Sequence, residues 1–194
     1  MTAPARRAPA REVRIIGGDW KRSKLAVADS PGLRPTPDRV RETLFNWLGQ
    51  DLSGWRCLDA FAGSGVLGFE AASRGATEVV LLEREHRLMR YLLDARQRLN
   101  ATQLRVQNAD ALAWMARCAP GSFELVFLDP PFDTPLLAPA LEAAARIVVP
   151  QGFVYVESGH ASAPEPTAAA GLEPYREGRA GAVHFRLLRR ANSS

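Results

Sequence analysis

The feature that most constrains this chain is the junction Leu58-Asp59-Ala60-Phe61-Ala62-Gly63-Ser64-Gly65-Val66-Leu67-Gly68, where an apolar strand runs into a glycine turn and then a helix. Gly63, Gly65 and Gly68 satisfy the spacing G-x-G-x-x-G, which lets the backbone approach a ligand closely. From Trp55 the strand–helix pattern repeats. Strands are expected at Arg56–Phe61, Glu78–Leu82, Leu104–Gln107, Glu124–Leu128 and Phe153–Glu157. Helices are expected between them at Val66–Arg74, Glu85–Leu99, Ala111–Arg117 and Pro135–Arg146. Such alternation requires right-handed crossovers and a mainly parallel sheet covered on both faces. The last segments, Leu172–Arg176 and Ala182–Leu188, flank Gly178-Arg179-Ala180-Gly181 and predict a hairpin closing the sheet with an antiparallel edge.

Upstream of this unit the chain changes character. Residues 1–12 read as a disordered basic tail, with Pro4 and Pro9 discouraging a helix. Val13–Val27 reads as a hairpin around Gly17-Gly18, followed by a Pro/Arg-rich loop at Pro31–Pro37. Thr36-Pro37-Asp38 predicts a helix start with Thr36 as N-cap, and Val40, Leu44, Trp47 and Leu48 form its apolar stripe. The expected organisation is a tail (1–12), an N-terminal hairpin, loop and helix (13–50) and a main domain (51–194).

Charge separates the same regions. The net charge is +4, yet residues 1–42 hold ten Arg/Lys against five Asp/Glu, while the rest is close to neutral. A polyanion is therefore the partner expected for the N-terminal end. Cys57 and Cys118 lie far apart without ligand spacing, which argues against a disulfide framework or a zinc site and fits a reducing compartment. No apolar run approaches the roughly 18–20 residues of a membrane span. A cytoplasmic, monomeric protein without membrane contact is expected.

The acids near the glycine turn narrow its ligand. Glu83 lies twenty residues after Gly63, at the end of the next strand, where an acid accepts ribose hydroxyls. Asp59 stands where a dinucleotide would bring its pyrophosphate, and a carboxylate repels that anion. S-adenosylmethionine has no phosphate and carries an ammonium and a sulfonium, so it suits this turn. Asp110, in Asn108-Ala109-Asp110-Ala111, is placed to meet an adenine amine, to cap the following helix, or to do both at once.

Asp129-Pro130-Pro131-Phe132 follows the most apolar strand. In a sheet of order 3-2-1-4-5 the first and fourth strands are neighbours at the switch point, so this turn is predicted to meet the glycine turn. Pro130 and Pro131 lack N–H groups and leave a carboxylate and the Pro130 carbonyl as acceptors beside an aromatic ring. That array suits a flat exocyclic amine held for in-line methyl transfer, with Phe132 stacked on the base. The plainer alternative makes the prolines a loop stop and Phe132 a packing residue.

Taken together, these motifs resemble those of class I S-adenosylmethionine-dependent amino-methyltransferases, and more closely the RsmD-type 16S rRNA (guanine-N2)-methyltransferases. The latter also share Arg14-Ile15-Ile16-Gly17-Gly18 and Arg34-Pro35-Thr36-x-Asp38-Arg39-Val40-Arg41-Glu42. The resemblance spans about residues 13–190. It implies a Rossmann-like fold with a seven-stranded sheet, S-adenosylmethionine as donor and S-adenosylhomocysteine as product, and 16S rRNA or a small-subunit assembly intermediate as partner. The candidate catalytic residues are Asp129, Pro130, Pro131 and Phe132. The cofactor-binding candidates are Asp59, Gly63, Ser64, Gly65, Glu83, Arg84, Asp110, Ala111 and Asp129, with no metal. RNA-binding candidates are Arg14, Trp20, Lys21, Arg22, Lys24, Arg34 and Arg39, and the Arg34–Arg39 loop is expected to cover cofactor and target base. Two roles stand open for Trp20, base stacking or hairpin packing; Arg39 and Arg41 have RNA contact or pairing with Asp38 and Glu42. Rival functions are adenine-N6 or protein glutamine methylation, a nicotinamide-dependent oxidoreductase, and a non-catalytic RNA-binding module.

Overall fold

The computed structural model describes residues 11–132, 134–159 and 171–192. The expected tail falls largely outside them, as does the Ala-rich stretch at 161–170. A small antiparallel sheet pairs β1 (Arg11–Arg14) with β2 (Lys24–Val27). Arg11 pairs with Val27, so the first strand begins two residues inside the segment read as tail. After α1 (Asp38–Leu48) come β3 (Arg56–Asp59), α2 (Val66–Ser73), β4 (Glu78–Glu83), α3 (His86–Arg98) and β5 (Leu104–Asn108). The chain continues through α4 (Ala111–Arg117), β6 (Phe123–Leu128), α5 (Leu137–Ile147), β7 (Val148–Ser158), β8 (Leu172–Ala180) and β9 (Val183–Arg190).

The seven-stranded sheet has the order β5-β4-β3-β6-β7-β9-β8. Its first five strands are parallel, and β9 is antiparallel to both β7 and β8. The helices fall on two faces because alternate residues of each buried strand point opposite ways. Cys57, Leu81, Leu125, Phe127 and Tyr155 meet α1, α2 and the N-terminal hairpin. Leu58, Val80, Val126, Leu128 and Val156 meet α4 and α5. Strand β7 starts at Val148 and runs through Pro150-Gln151-Gly152, ahead of the start expected at Phe153. Helix α5 starts at Leu137 rather than Pro135.

The hairpin does not close in a tight turn. Residues 15–23 form a loop seated on the last turn of α2. Asp19 N–H donates to Ser73 O at 2.7 Å, Trp20 N–H to Ser73 Oγ at 2.9 Å, and Ser73 Oγ–H to Gly17 O at 2.6 Å. This seat requires glycine at position 18, where φ is +72° and a Cβ would stand 1.8 Å from Ser73 O.

One buried arginine ties the N-terminal part to the sheet domain. Arg41 is fully buried and donates to Glu70 Oε1 (2.6 Å), Arg14 O (2.9 Å), Thr36 O (3.0 Å) and Asp38 Oδ1 (2.5 Å). Glu70, also fully buried, accepts from Ile16 N–H at 2.6 Å and from Arg74 Nε at 3.2 Å. Of the two fates open to Arg41, pairing wins. It takes Asp38 but uses the remaining donors inward, because a guanidinium removed from water must have all its N–H groups occupied.

Candidate active site at the carboxyl ends of the central strands

The glycine turn lies between β3 and α2. Gly63 and Gly65 have φ of +53° and +75°, the left-handed region that side-chain-bearing residues avoid. The turn is bonded to the next strand end: Gly63 N–H donates to Glu83 Oε2 at 2.9 Å, and Glu83 Oε1 accepts Glu85 N–H at 2.8 Å. Glu83 thus stands beside the glycines as its spacing predicts. Ser64 Oγ lies 3.4 Å from Val66 N–H, and Ala111 opens α4 and is buried. Asp110 caps α4, accepting from Ala113 N–H at 2.9 Å, so the capping role is realised. Exposed Arg84 reaches to 4.0 Å from Asp110, which leaves both at the rim of the same end. Asn108, which the sequence reading gave no role, donates to the Glu83 and Arg84 carbonyls at 2.9 Å each and fixes the β4–α3 loop.

Three carboxyl groups gather at the ends of β3, β6 and β7. Asp59 is 2% exposed and accepts Gly68 N–H at 3.1 Å. Burial pushes its pKa up to about 7 against the Gly68 hydrogen bond, with Glu83 and Glu157 adding repulsion. Asp129 follows β6, and burial raises its carboxyl well above the ordinary carboxylate range, with Glu157 and then Asp59 adding repulsion. Among the described residues the Asp129 side chain accepts no hydrogen bond, and neither does the Pro130 carbonyl. The Pro131 carbonyl is taken by Thr134 Oγ at 2.7 Å. Phe132 is 46% exposed, and a Cβ on Gly159 would stand 3.0 Å from its ring. It is therefore not a core aromatic.

Glu157 was missed by sequence reading. It is 4% exposed and accepts Thr36 Oγ–H at 2.6 Å and Tyr155 O–H at 3.0 Å on one oxygen, Oε1. Burial raises its pKa, opposed by these two bonds and by Arg41. Thr36 is consequently not an N-cap. Pro37 holds that position without a side-chain bond, since the Thr36 hydroxyl points across the fold to β7. No local signal reveals a bond spanning 121 positions.

The same bond anchors the loop between β2 and α1 over the carboxyl ends. Ser30 Oγ donates to Glu85 at 3.4 Å, and a Cβ on Gly63 would stand 2.9 Å from Leu33 Cδ1. Arg34 is exposed on this cover, while Arg39, expected in the same loop, is exposed in the first turn of α1. The predicted basic strip divides at this point. Exposed Lys21 and Arg22 lie in the loop seated on the last turn of α2, and Lys24 O accepts from the last residue of α3, Arg98. The loop carrying Lys21 and Arg22 thus sits at the opposite end of α2 from the glycine turn, a helix about 12 Å long for its eight residues, and Lys24 lies beside the end of α3. Lys24 pairs with Glu12 at 2.7 Å, and exposed Arg14 is opposite it in the hairpin. Trp20 is half-buried, its ring centroid 6.4 Å from that of Phe69, so it packs against α2. Two cavities of about 370 and 130 Å³ lie away from all these groups, beside Arg146 and Arg190 and beside Trp55 and Gly152.

A parallel sheet with the glycine turn after its central strand, an Asp-Pro-Pro-Phe turn after the neighbouring strand and an antiparallel β9 inserted at the edge defines a class I methyltransferase fold. Precorrin-6y C5,15-methyltransferase from Geobacter metallireducens shares that fold, with a TM-score of 0.70 at 15% identity over 86% of this chain and 94% of that one. The family described as conserved hypothetical protein 95 matches residues 13–189. The chain belongs to that family, the RsmD type. The ribosomal RNA small subunit methyltransferase D of Escherichia coli is 42% identical over 181 residues, covering 92% of this chain and 90% of the relative. The solved structure of yhhF from Escherichia coli superposes with a TM-score of 0.80 at 38% identity, covering 93% of this chain and 99% of that one.

Proposed function

We propose that this chain transfers a methyl group from S-adenosylmethionine to the exocyclic N2 of a guanine in 16S rRNA, free or within a small-subunit assembly intermediate. The observation that carries the reading is Asp129: a carboxylate at the switch point, largely withdrawn from water, with no hydrogen bond from the described residues. Beside it the Pro130 carbonyl likewise accepts no hydrogen bond from the described residues, so two N–H donors of one amine find two acceptors. Phe132 offers a ring face for the base, which must leave its stack at a cost of a few kcal/mol. The relatives named for small-subunit rRNA methylation support the choice of nucleic acid, and exposed Arg34 of the covering loop and Arg39 at the start of α1 suit phosphates.

The donor set fits the cofactor. Asp59 and Glu83, beside the glycine turn, create a site that welcomes positive charge and would repel a pyrophosphate. Glu83 suits ribose hydroxyls, Asp110 and Arg84 border the adenine side, and Gly63–Gly65 leave room for the methionine moiety. When bound, S-adenosylmethionine supplies an electrophilic methyl: the N–C bond forms while the C–S bond breaks, its electrons remain on sulfur and neutral S-adenosylhomocysteine results. The chain's own part is to hold the amine with its lone pair aimed and to exclude water.

The test is Asp129→Ala. Calorimetry should show S-adenosylmethionine still bound, while tritiated methyl transfer to unmodified small-subunit rRNA falls by at least about 100-fold. Transfer by the wild type to duplex DNA but not to rRNA or an assembly intermediate would overturn the reading.

A further inference from the structure

The covering loop and the base pocket are joined by one buried side chain, and the reading above gives that side chain no task. We infer that Glu157 is a positioning residue, held by Thr36 of the loop, which makes Asp129 the acceptor of the proton leaving the methylated amine. This rests on the proposed methyl transfer to an amine.

Val156 pairs with Leu128 across parallel strands, so the residues that follow them, Glu157 and Asp129, stand at neighbouring strand ends about 4.8 Å apart in backbone spacing. The groups facing Glu157 come from five elements: Asp129 after β6, Asp59 from β3, Tyr155 from β7, Thr36 from the loop and Arg41 from α1. Thr36 and Tyr155 both donate to Oε1, and a carboxylate that accepts two hydroxyls is favoured over the acid. Burial works the other way on Glu157, and its ionised form, which these two bonds and Arg41 favour, repels charge on Asp129 and raises its affinity for a proton. When N2 gains the methyl it becomes an ammonium; one N–H bond breaks, its electron pair stays on nitrogen and the proton passes to the Asp129 carboxylate that already accepts that hydrogen. A carboxylate of ordinary acidity is a poor acceptor near neutral pH, and the neighbour corrects this. Thr36 belongs to the segment whose Leu33 lies over Gly63, so one contact both seats the cover and tunes the base.

The experiment follows the Asp129 carboxyl by ¹³C NMR in aspartate-labelled protein without cofactor, assigned by comparison with Asp129→Asn. It pairs this with the pH profile of single-turnover methyl transfer. In Glu157→Gln the Asp129 midpoint should fall by about one pH unit or more, and the acid limb of the profile should move with it. The KM for S-adenosylmethionine should stay unchanged. Thr36→Val should move both in the same direction by less, and it carries the test if the Glu157 variant does not fold. An unmoved midpoint, or an acid limb that stays in place while the rate merely drops, would overturn the inference. An absence of wild-type transfer to rRNA at every pH would instead overturn the functional reading, and the NMR titration distinguishes the two failures.

Discussion

Replacing Arg41 by alanine should be among the most damaging single changes outside the pocket, and the structure sets its size. The side chain is fully buried and fills four acceptors from three parts of the chain: Arg14 O in the hairpin, Thr36 O and Asp38 at the start of α1, and Glu70 in α2. Alanine leaves Glu70, also fully buried, with Ile16 N–H at 2.6 Å and the longer Arg74 contact at 3.2 Å. Removing one partner of a buried ion pair typically costs about 3–5 kcal/mol, because the remaining charge keeps its desolvation cost without its compensation. In a chain of 194 residues each kcal/mol moves Tm by about 2–4 °C, so a fall of about 6–20 °C is expected. Urea denaturation followed by circular dichroism measures the loss, and exposed Arg39→Ala should stay within about 0.5 kcal/mol as the control. Arg41→Met combined with Glu70→Met should recover part of the stability, since removing both charges is milder than stranding one. A loss below about 1 kcal/mol in Arg41→Ala would refute the claim that this ion pair joins the N-terminal part to the sheet domain.

Two further outcomes are expected. Asp59 has a folded pKa raised to about 7 from an ordinary 3.8, so between those values the folded chain binds more protons than the unfolded one. Stability therefore declines as pH rises through that window and levels off above it, by at most about 4 kcal/mol from this group. Asp59→Asn, whose amide oxygen can still accept Gly68 N–H, should flatten the difference between denaturation midpoints at pH 5 and pH 8; an unchanged difference would count against the assignment. Reversing charge at Arg34 and Arg39 together should cut methyl transfer to rRNA by about tenfold or more and reduce its salt dependence. Reversal at Lys21 and Arg22, across the length of α2, should have the smaller effect on the single-turnover rate, and equal losses would argue against the division of the strip.

How much of this was legible in the sequence depends on how local the physics is. The glycine turn, the acid at Glu83 and the Asp-Pro-Pro-Phe turn are short motifs whose chemistry is carried by adjacent residues, and strand–helix alternation brings them to the same end of a parallel sheet. Asp110 shows the same locality, since its capping bond reaches only three residues on. Thr36 shows the limit. Followed by Pro37 it has the local form of an N-cap, but a buried carboxylate 121 residues away offers its hydroxyl a stronger partner. Trp20 and Arg41 look like surface residues in a basic run, and burial is a property of what packs over them.

The sequence by itself determined the class of fold and the pocket's first contacts, because periodicity of two and 3.6 residues, a glycine spacing and two prolines act over a few positions each. Only the tertiary structure decided which acids share the pocket, which arginine is interior and where the basic residues go. Those outcomes depend on desolvation and on charges brought together from distant strands: Glu157 acquires its meaning from Asp129 and Thr36, and the N-terminal charge is divided by the helix it packs against.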